Sequence, residues 1–560
     1  MCILCDQGKP QDHSATKGST QLGRRDFLKT ATATGVAAAG LNLFAARPAA
    51  ADGGGPPEDH GRHGRRYVIR GGHVMTMDPA IGDFVKADVL VEGKKIVAVG
   101  PNLHAGGAGE IDARGKIVMP GFIDTHHHQF ETALRSFLAN GILINDQSGS
   151  ASADPSYFEY ILSRFAPVYT PDDVYISELF GGLAQLDDGV TTVHDVSQIH
   201  HSPDHSDQAI KALFDTGRRA AFGYFESAGG VPGNKYPTDA DRIKTQWFSS
   251  NDQLVHMIMG GEVYLGDAST DASWTIGRRL DLQIAAHILS PFGIRPIFDK
   301  LTATPGTGGN GHIGIGPDNL FIHMTGMADA AWDKVKEVGA QVSIAFPIEM
   351  NMRHGMPPIV RMQSMGIEPS LSTDVEVTMT ADFFTQMRVC MNMQRMVVNQ
   401  MILNRPNGNQ NLPDPRNWEL PQSAVTVDDI PFFPYWPKPI AGIPAPLTTR
   451  DVLRYATVNG AKALQLDGKY GKVGSLTPGY EADIIILDAT AINVAPVNNV
   501  PGAVVSLMDR TNVETVIVAG KVRKWKGRLL GVDLNHLRRQ LEKSRDAIFV
   551  AANVPQDLYR

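Results

Sequence analysis

Three consecutive histidines, His126-His127-His128, follow an apolar run and a Pro-Gly turn (Lys116 to Gly121) and the short segment Phe122-Ile123-Asp124-Thr125. Side chains alternate across an extended chain, so His126 and His128 face one side and His127 the other. Neutral imidazoles two residues apart can grip one metal ion, while His127 packs or caps nearby. A His-x-His pair in isolation is as often a surface cluster. Its weight depends on what the rest of the chain places beside it.

The elements that would position such a pair alternate in character. Strand-like stretches fall at 118–125, 189–196, 219–225, about 262–266, 282–288, 320–325, 341–346 and 369–374, with helical stretches between them. That alternation predicts a parallel sheet covered by helices, and eight units predict an α/β fold, a (β/α)8 TIM barrel, with its site at the C-terminal ends of the strands. Short strands also flank the barrel. Tyr67 to Gly72, Ala87 to Gly93 and Lys95 to Gly100 lie before it, and Ala482 to Asp488 and Val513 to Gly520 after it.

These residues carry a resemblance. Val118-Met119-Pro120-Gly121-Phe122-Ile123-Asp124-Thr125-His126-x-His128 resembles the first-strand signature of the amidohydrolase superfamily, nearest its cytosine deaminase and triazine hydrolase branch. Gly189-Val190-Thr191-Thr192-Val193, His287, His323, Asp374 and the run Gly474 to Asp483 follow in the expected order, so the likeness spans roughly residues 66 to 531. It implies that the flanking strands form one small composite β-sandwich built from both chain ends. The expected organisation is a β-sandwich half at 67–117, the barrel at 118–473, the second half at 474–531 and a C-terminal helix at 532–560.

The resemblance also implies the site. His126, His128, His287 and Asp374 would hold one divalent ion, Zn²⁺ or Fe²⁺, with His323 beside it. A cation so held lowers the pKa of water from about 16 towards about 7. Asp374 can take the water's proton, and His323 can donate where charge develops. A two-metal site would want a Lys or Glu near the end of the fourth strand, and Val263-Tyr264-Leu265-Gly266-Asp267 offers neither.

One departure affects the expected chemistry. Deaminases of this branch usually carry a Glu three residues after the fifth-strand His, and here that position is Ser290. His194-Asp195 on the second strand, Glu226 after the third, and Glu349 or His354 after the seventh are the candidates to replace that acid, Glu349 first among them. Without the Glu, an amide, carbamate or urea-like carbon-nitrogen bond is the expected substrate bond. A deaminase or chlorohydrolase of N-heterocycles is the alternative, and an exported metal-retaining binding protein without turnover is a third.

Composition bounds the partners. The 560-residue chain is 42% hydrophobic and 20% charged, with a formal charge of −7. A mildly acidic globular enzyme with a small-molecule substrate fits; a nucleic-acid partner does not. Gly23-Arg24-Arg25-Asp26-Phe27-Leu28-Lys29, an Ala-rich run and Ala49-Ala50-Ala51 resemble a twin-arginine export signal over 1–51, which implies a periplasmic or secreted protein. That run is too short and Ala-rich for a firm membrane span, so no stable membrane association is expected. Of Cys2, Cys5 and Cys390 only the last lies beyond the signal, so no intrachain disulfide is expected in the exported chain. Residues 52–66 predict a flexible Gly/Pro linker, and 404–446 a Pro- and aromatic-rich insertion that either covers the pocket or forms a surface or subunit-contact loop. A homo-oligomer is left open.

Overall fold

The computed structural model describes residues 55–57, 60–145, 156–228, 231, 233–290, 294–303, 314–403 and 442–559. The expected signal and most of the insertion, 404–441, lie outside these residues.

Eight parallel strands run in sequence order around a barrel: β1 Phe122–His127, β2 Val190–Ser197, β3 Arg219–Tyr224, β4 Val255–Gly260, β5 Gln283–Leu289, β6 Asn319–Thr325, β7 Gln341–Ile344 and β8 Ser370–Leu371. Closure comes through a parallel bridge between His127 and Asp374, in which Asp374 N donates to His126 O (2.9 Å) and His128 N to Asp374 O (2.8 Å). The seam that closes the barrel therefore joins the two segments carrying candidate ligands. β2, β3 and β4 are buried along their whole length, which is why they are written in apolar and small residues instead of an alternating pattern. Ile123, Val196, Ala221, Phe225, Ile258, Ala285, Leu320 and Ile322 share one core cluster with Ala461, Leu464, Leu466 and Tyr470.

The first and fourth strands differ from expectation. The run expected at 118–125 divides at Gly121: Lys116–Pro120 belongs to the flanking sheet, and the barrel strand begins at Phe122. Gly121 is required there, because a Cβ would stand 2.2 Å from Thr191 Cγ2. The fourth strand is Val255–Gly260, and Val263–Leu265 is a single 3-10 turn beyond it. The Gly260-Gly261 pair suggests a turn preceding a strand. It instead ends one, since a Cβ on Gly260 would lie 2.4 Å from Phe225 Cγ.

The flanking strands form one nine-stranded sheet drawn from both chain ends. Lys116–Pro120 pairs with Arg66–Val74 on one side and with Ile484–Asp488 on the other. Tyr67, Val89, Val91, Ile484, Ile486, Ile517 and Val522 give it its own core. A buried ion cluster joins it to the barrel: Arg219, which opens β3, donates from Nη2 to Glu481 (2.7 Å) and from Nε to Asp483 (3.0 Å). Part of the expected linker is also fixed to this sheet, because Val522 N donates to His60 Nδ1 (2.9 Å). The last helix, Leu534–Ala551, buries Leu541, Ile548 and Phe549, and Ser544 Oγ donates to Asp173 of helix Pro171–Asp187. No helix among the described residues is long and apolar enough to cross a membrane.

Candidate metal centre and catalytic pocket

His126 and His128 leave the end of β1 with both Nε2 atoms turned to Asp374 Oδ1, at 3.0 and 3.7 Å. His323 Nε2 lies 3.7 Å from the other oxygen, Oδ2. The His287 ring centre is 4.8 Å from that of His126 and 5.4 Å from that of His128. All five side chains implied by the resemblance thus converge on one point at the C-terminal rim, and His127 turns away to pair through Nδ1 with Thr373 Oγ1 (2.9 Å).

These residues fit a cation. Donors about 2.1 Å from a shared tetrahedral ion stand about 3.3 Å apart, which is the spacing seen around Asp374. Burial holds His126 well below its ordinary value and brings His128 down to about 3 and His323 to about 4, so these imidazoles are neutral ligands over the physiological range. Asp374 is the one carboxylate among them. Burial alone would raise its pKa, but the His126, His323 and His128 rings around it together outweigh burial and hold the group ionised.

Two glutamates orient two of the histidines. Glu262 accepts from both His287 N (3.0 Å) and the His287 ring at Nδ1, and Glu349 pairs with His323 Nδ1 (2.9 Å). Each contact leaves Nε2 for the centre, as carboxylate partners of metal-ligating histidines do. Burial would lower His287, yet Glu262 outweighs it and leaves the pKa raised. Backbone strain also collects here: His323, Met324 and Asp374 all have positive φ (72°, 55° and 62°), which non-glycine residues hold only under tertiary constraint.

Asp124 ties the seam together. It accepts from His126 N (3.2 Å), Thr373 N (3.1 Å) and Gln185 Nε2 (2.8 Å). Residues of the first and eighth βα units thereby share one buried carboxylate, itself pushed up to about 7 by burial.

The candidate replacement acids are placed apart from one another. Glu349 lies behind His323 and holds its ring. His194 is buried inside the barrel, with Nδ1 against Thr125 O (3.0 Å), and does not line the cavity. Glu226 stands behind the pocket wall, accepting from Gln198 Nε2 (3.1 Å) and Tyr264 OH, and burial together with Glu262 pushes it up to about 7. Ser290 is exposed beside Gly326, outside the cavity lining.

Glu262 is absent from the sequence-derived site because the fourth strand is expected one turn too late. It does stand near that strand's end, as a two-metal site would ask, but His287 engages both its oxygens. About 460 Å³ of unfilled space, its opening to solvent included, lies in front of these residues. Leu143, Phe158, Leu162, Leu289, Met352 and Val375 make its apolar wall, with Tyr157, Gln198, Tyr264 and His354 as polar interruptions.

A closed parallel barrel with imidazole and carboxylate donors at its C-terminal rim is the architecture of metal-dependent hydrolases. The amidohydrolase family matches residues 117–413 and 444–523, and the chain belongs to that family. It is 24% identical over 500 residues to a 5'-deoxyadenosine deaminase of Methanosarcina mazei, covering 87% of this chain and 99% of the relative. A 5-methylthioadenosine/S-adenosylhomocysteine deaminase of Thermococcus kodakarensis is also 24% identical, over 81% of this chain and 93% of its own. Among solved structures, a zinc-bound adenosine deaminase of Xanthomonas campestris superposes with TM-score 0.68 at 19% identity, covering 87% of this chain and 99% of that one. The zinc complex of atrazine chlorohydrolase from Arthrobacter aurescens gives TM-score 0.67 at 20% identity, covering 86% and 100%.

Proposed function

We propose that this protein hydrolyses a non-peptide carbon-nitrogen bond of a small molecule, using one divalent cation, Zn²⁺ or Fe²⁺, held by His126, His128, His287 and Asp374. The observation that carries the reading is the convergence of the His126, His128 and His287 rings and the ionised Asp374 carboxylate at the rim. A cation there supplies Lewis acidity, making water nucleophilic at neutral pH. Asp374 takes the proton of the attacking water through Oδ2, which no other side chain engages, and returns it to the leaving nitrogen. Burial keeps the Glu349 carboxyl protonated, so it donates to His323 Nδ1 and leaves the neutral ring's Nε2–H to donate to the atom on which negative charge develops. The apolar wall excludes bulk water and favours a flat substrate.

Between substrate classes, the named deaminases among the relatives weigh towards an exocyclic amine of an N-heterocycle, and that reading stands first. Ser290 favours a second: an amide, carbamate or urea-like bond whose leaving group needs less protonation. Ammonia release measured over ring amines, amides, carbamates and ureas tests both. Turnover of ring amines alone supports the first, and turnover of acyl compounds alone the second. No turnover of any of them by metal-replete protein overturns the proposal. Export to the periplasm or medium is part of the proposal, supported by Arg24-Arg25 and the Ala-rich run after them. A leader sequence that fails to carry a reporter through the twin-arginine route removes it.

A further inference from the structure

Of the polar side chains of the cavity that the chemistry above leaves unused, His354 is the one without a side-chain hydrogen-bond partner among the described residues. It follows the short helix Phe346–Asn351, and its backbone is pinned where Thr325 Oγ1, at the end of β6, donates to its carbonyl (2.6 Å). Its side chain lines the cavity and is 3% exposed, with its ring centre 4.8 Å from that of His323. Neither ring nitrogen has a hydrogen-bond partner in the protein.

Both features separate it from the other rim histidines. His287 and His323 are each aimed by a carboxylate at Nδ1, and His126 and His128 are turned towards Asp374. His354 has no orienting carboxylate, and the candidate centre has a full donor set without it. A core histidine would be paired instead, as His200 is with Ser206 and Ser197, because an unpaired buried polar group costs stability. Both of its ring nitrogens therefore face the cavity free to meet a ligand's donor or acceptor. Ser290, which stands where the family's Glu would, is turned out of the cavity.

We infer that His354 is a substrate-contacting, specificity-determining residue that hydrogen-bonds the polar ring edge of a planar heterocycle or cyclic amide seated against His323 and Asp374. The inference deepens the proposed hydrolase reading and rests on it. It narrows the substrate class to rings that present an N–H, ring nitrogen or carbonyl to His354 while the rest of the ring meets Leu143, Leu289 and Met352.

The test uses the metal-replete full chain, with His354→Ala and His354→Gln variants. Metal content is measured by elemental analysis, and binding of cytosine, hydantoin and toluene by calorimetry, so that the result does not depend on turnover. The expected result is unchanged metal content, unchanged toluene affinity and about ten-fold weaker binding of whichever polar ring the wild type prefers in the Ala variant, with partial recovery in Gln. Loss of metal in the Ala variant overturns the inference, since His354 is then a ligand. Equal losses for toluene and the polar rings overturn it as well, as does a wild type that binds neither polar ring more tightly than toluene. Absence of turnover on the wider panel would sink the hydrolase reading while leaving these binding outcomes readable.

Discussion

Replacing Glu262 by Gln removes one charge and changes almost no volume, yet the structure makes it a severe change for the centre. Glu262 accepts two hydrogen bonds from a single residue, from the backbone N and ring Nδ1 of His287. A carboxylate can accept both; a carboxamide offers one acceptor and one donor, so one of the two His287 N–H groups must face an NH₂. Either the backbone bond is lost or the ring rotates and Nε2 leaves the centre. Losing such a partner typically weakens metal affinity by about 10- to 100-fold, or about 1.4–2.7 kcal/mol. The pH dependence should move too. In the metal-free protein Glu262 keeps His287 protonated to a pH above its ordinary 6.5, although burial alone would lower it. Cation binding must then displace that proton, so affinity rises as pH climbs through the raised value and falls below it. In Glu262→Gln only the weaker pull of Asp374 and Glu226 opposes burial, and this proton-linked rise moves to lower pH. Chelator competition on wild type and variant between pH 5.5 and 8.5 measures both effects. Equal affinities with superimposable pH profiles would refute the orienting role of Glu262.

Other outcomes follow from the same contacts. Arg219→Met leaves Asp483 buried without its counter-charge and Glu481 with only the longer contacts to Lys94 and Lys95 (3.4 Å each), and should cost about 3–5 kcal/mol in denaturant or thermal unfolding. It should leave kcat of the folded protein unchanged, because Arg219 opens β3 at the end of the barrel away from the site. Burial would raise Glu481, but Arg219 outweighs it and holds the carboxyl below its ordinary 4.5. Its stabilisation is therefore present above that value and lost as pH falls through the lower folded one, so Tm should drop less steeply below about pH 4.5 in Glu481→Gln than in wild type. Gly260→Ala puts a Cβ 2.7 Å from Phe225 Cα, a backbone atom that no rotamer moves, and should lower stability by about 1–3 kcal/mol. Asp374→Asn should lower kcat by about 10²- to 10⁴-fold even when metal is retained, as measured by ammonia release.

Much of this architecture is written locally. Period-two placement puts His126 and His128 on one face and His127 on the other, and the structure keeps that division. Seven of the eight barrel strands fall where β-branched runs and turn residues place them, with offsets at their ends. The fourth strand is obscured because glycine has two uses, turn formation and close packing, and only the position of Phe225 shows which applies at Gly260. That shift hides Glu262. Glu349 and His354 are visible as polar residues after the seventh strand, but nothing in their spacing says that one holds His323 and the other faces the cavity. Those roles depend on the crossing of helix Phe346–Asn351 over the end of β6, a contact between segments that a linear pattern does not encode. Met-rich helix Phe383–Leu403 shows the same limit: its methionines look alike in sequence, yet Met387 and Met393 are buried whereas Met396 is 42% exposed.

The central claim, a cation held by His126, His128, His287 and Asp374 as the source of the chemistry, is tested most directly by elemental analysis of the purified wild type beside a His126→Ala/His128→Ala variant, with turnover followed in both. About one Zn or Fe per wild-type chain, lost together with carbon-nitrogen hydrolysis in the variant, is the predicted result. Wild-type protein that hydrolyses its substrate at full rate without stoichiometric metal, or a variant that keeps both metal and activity, would contradict it.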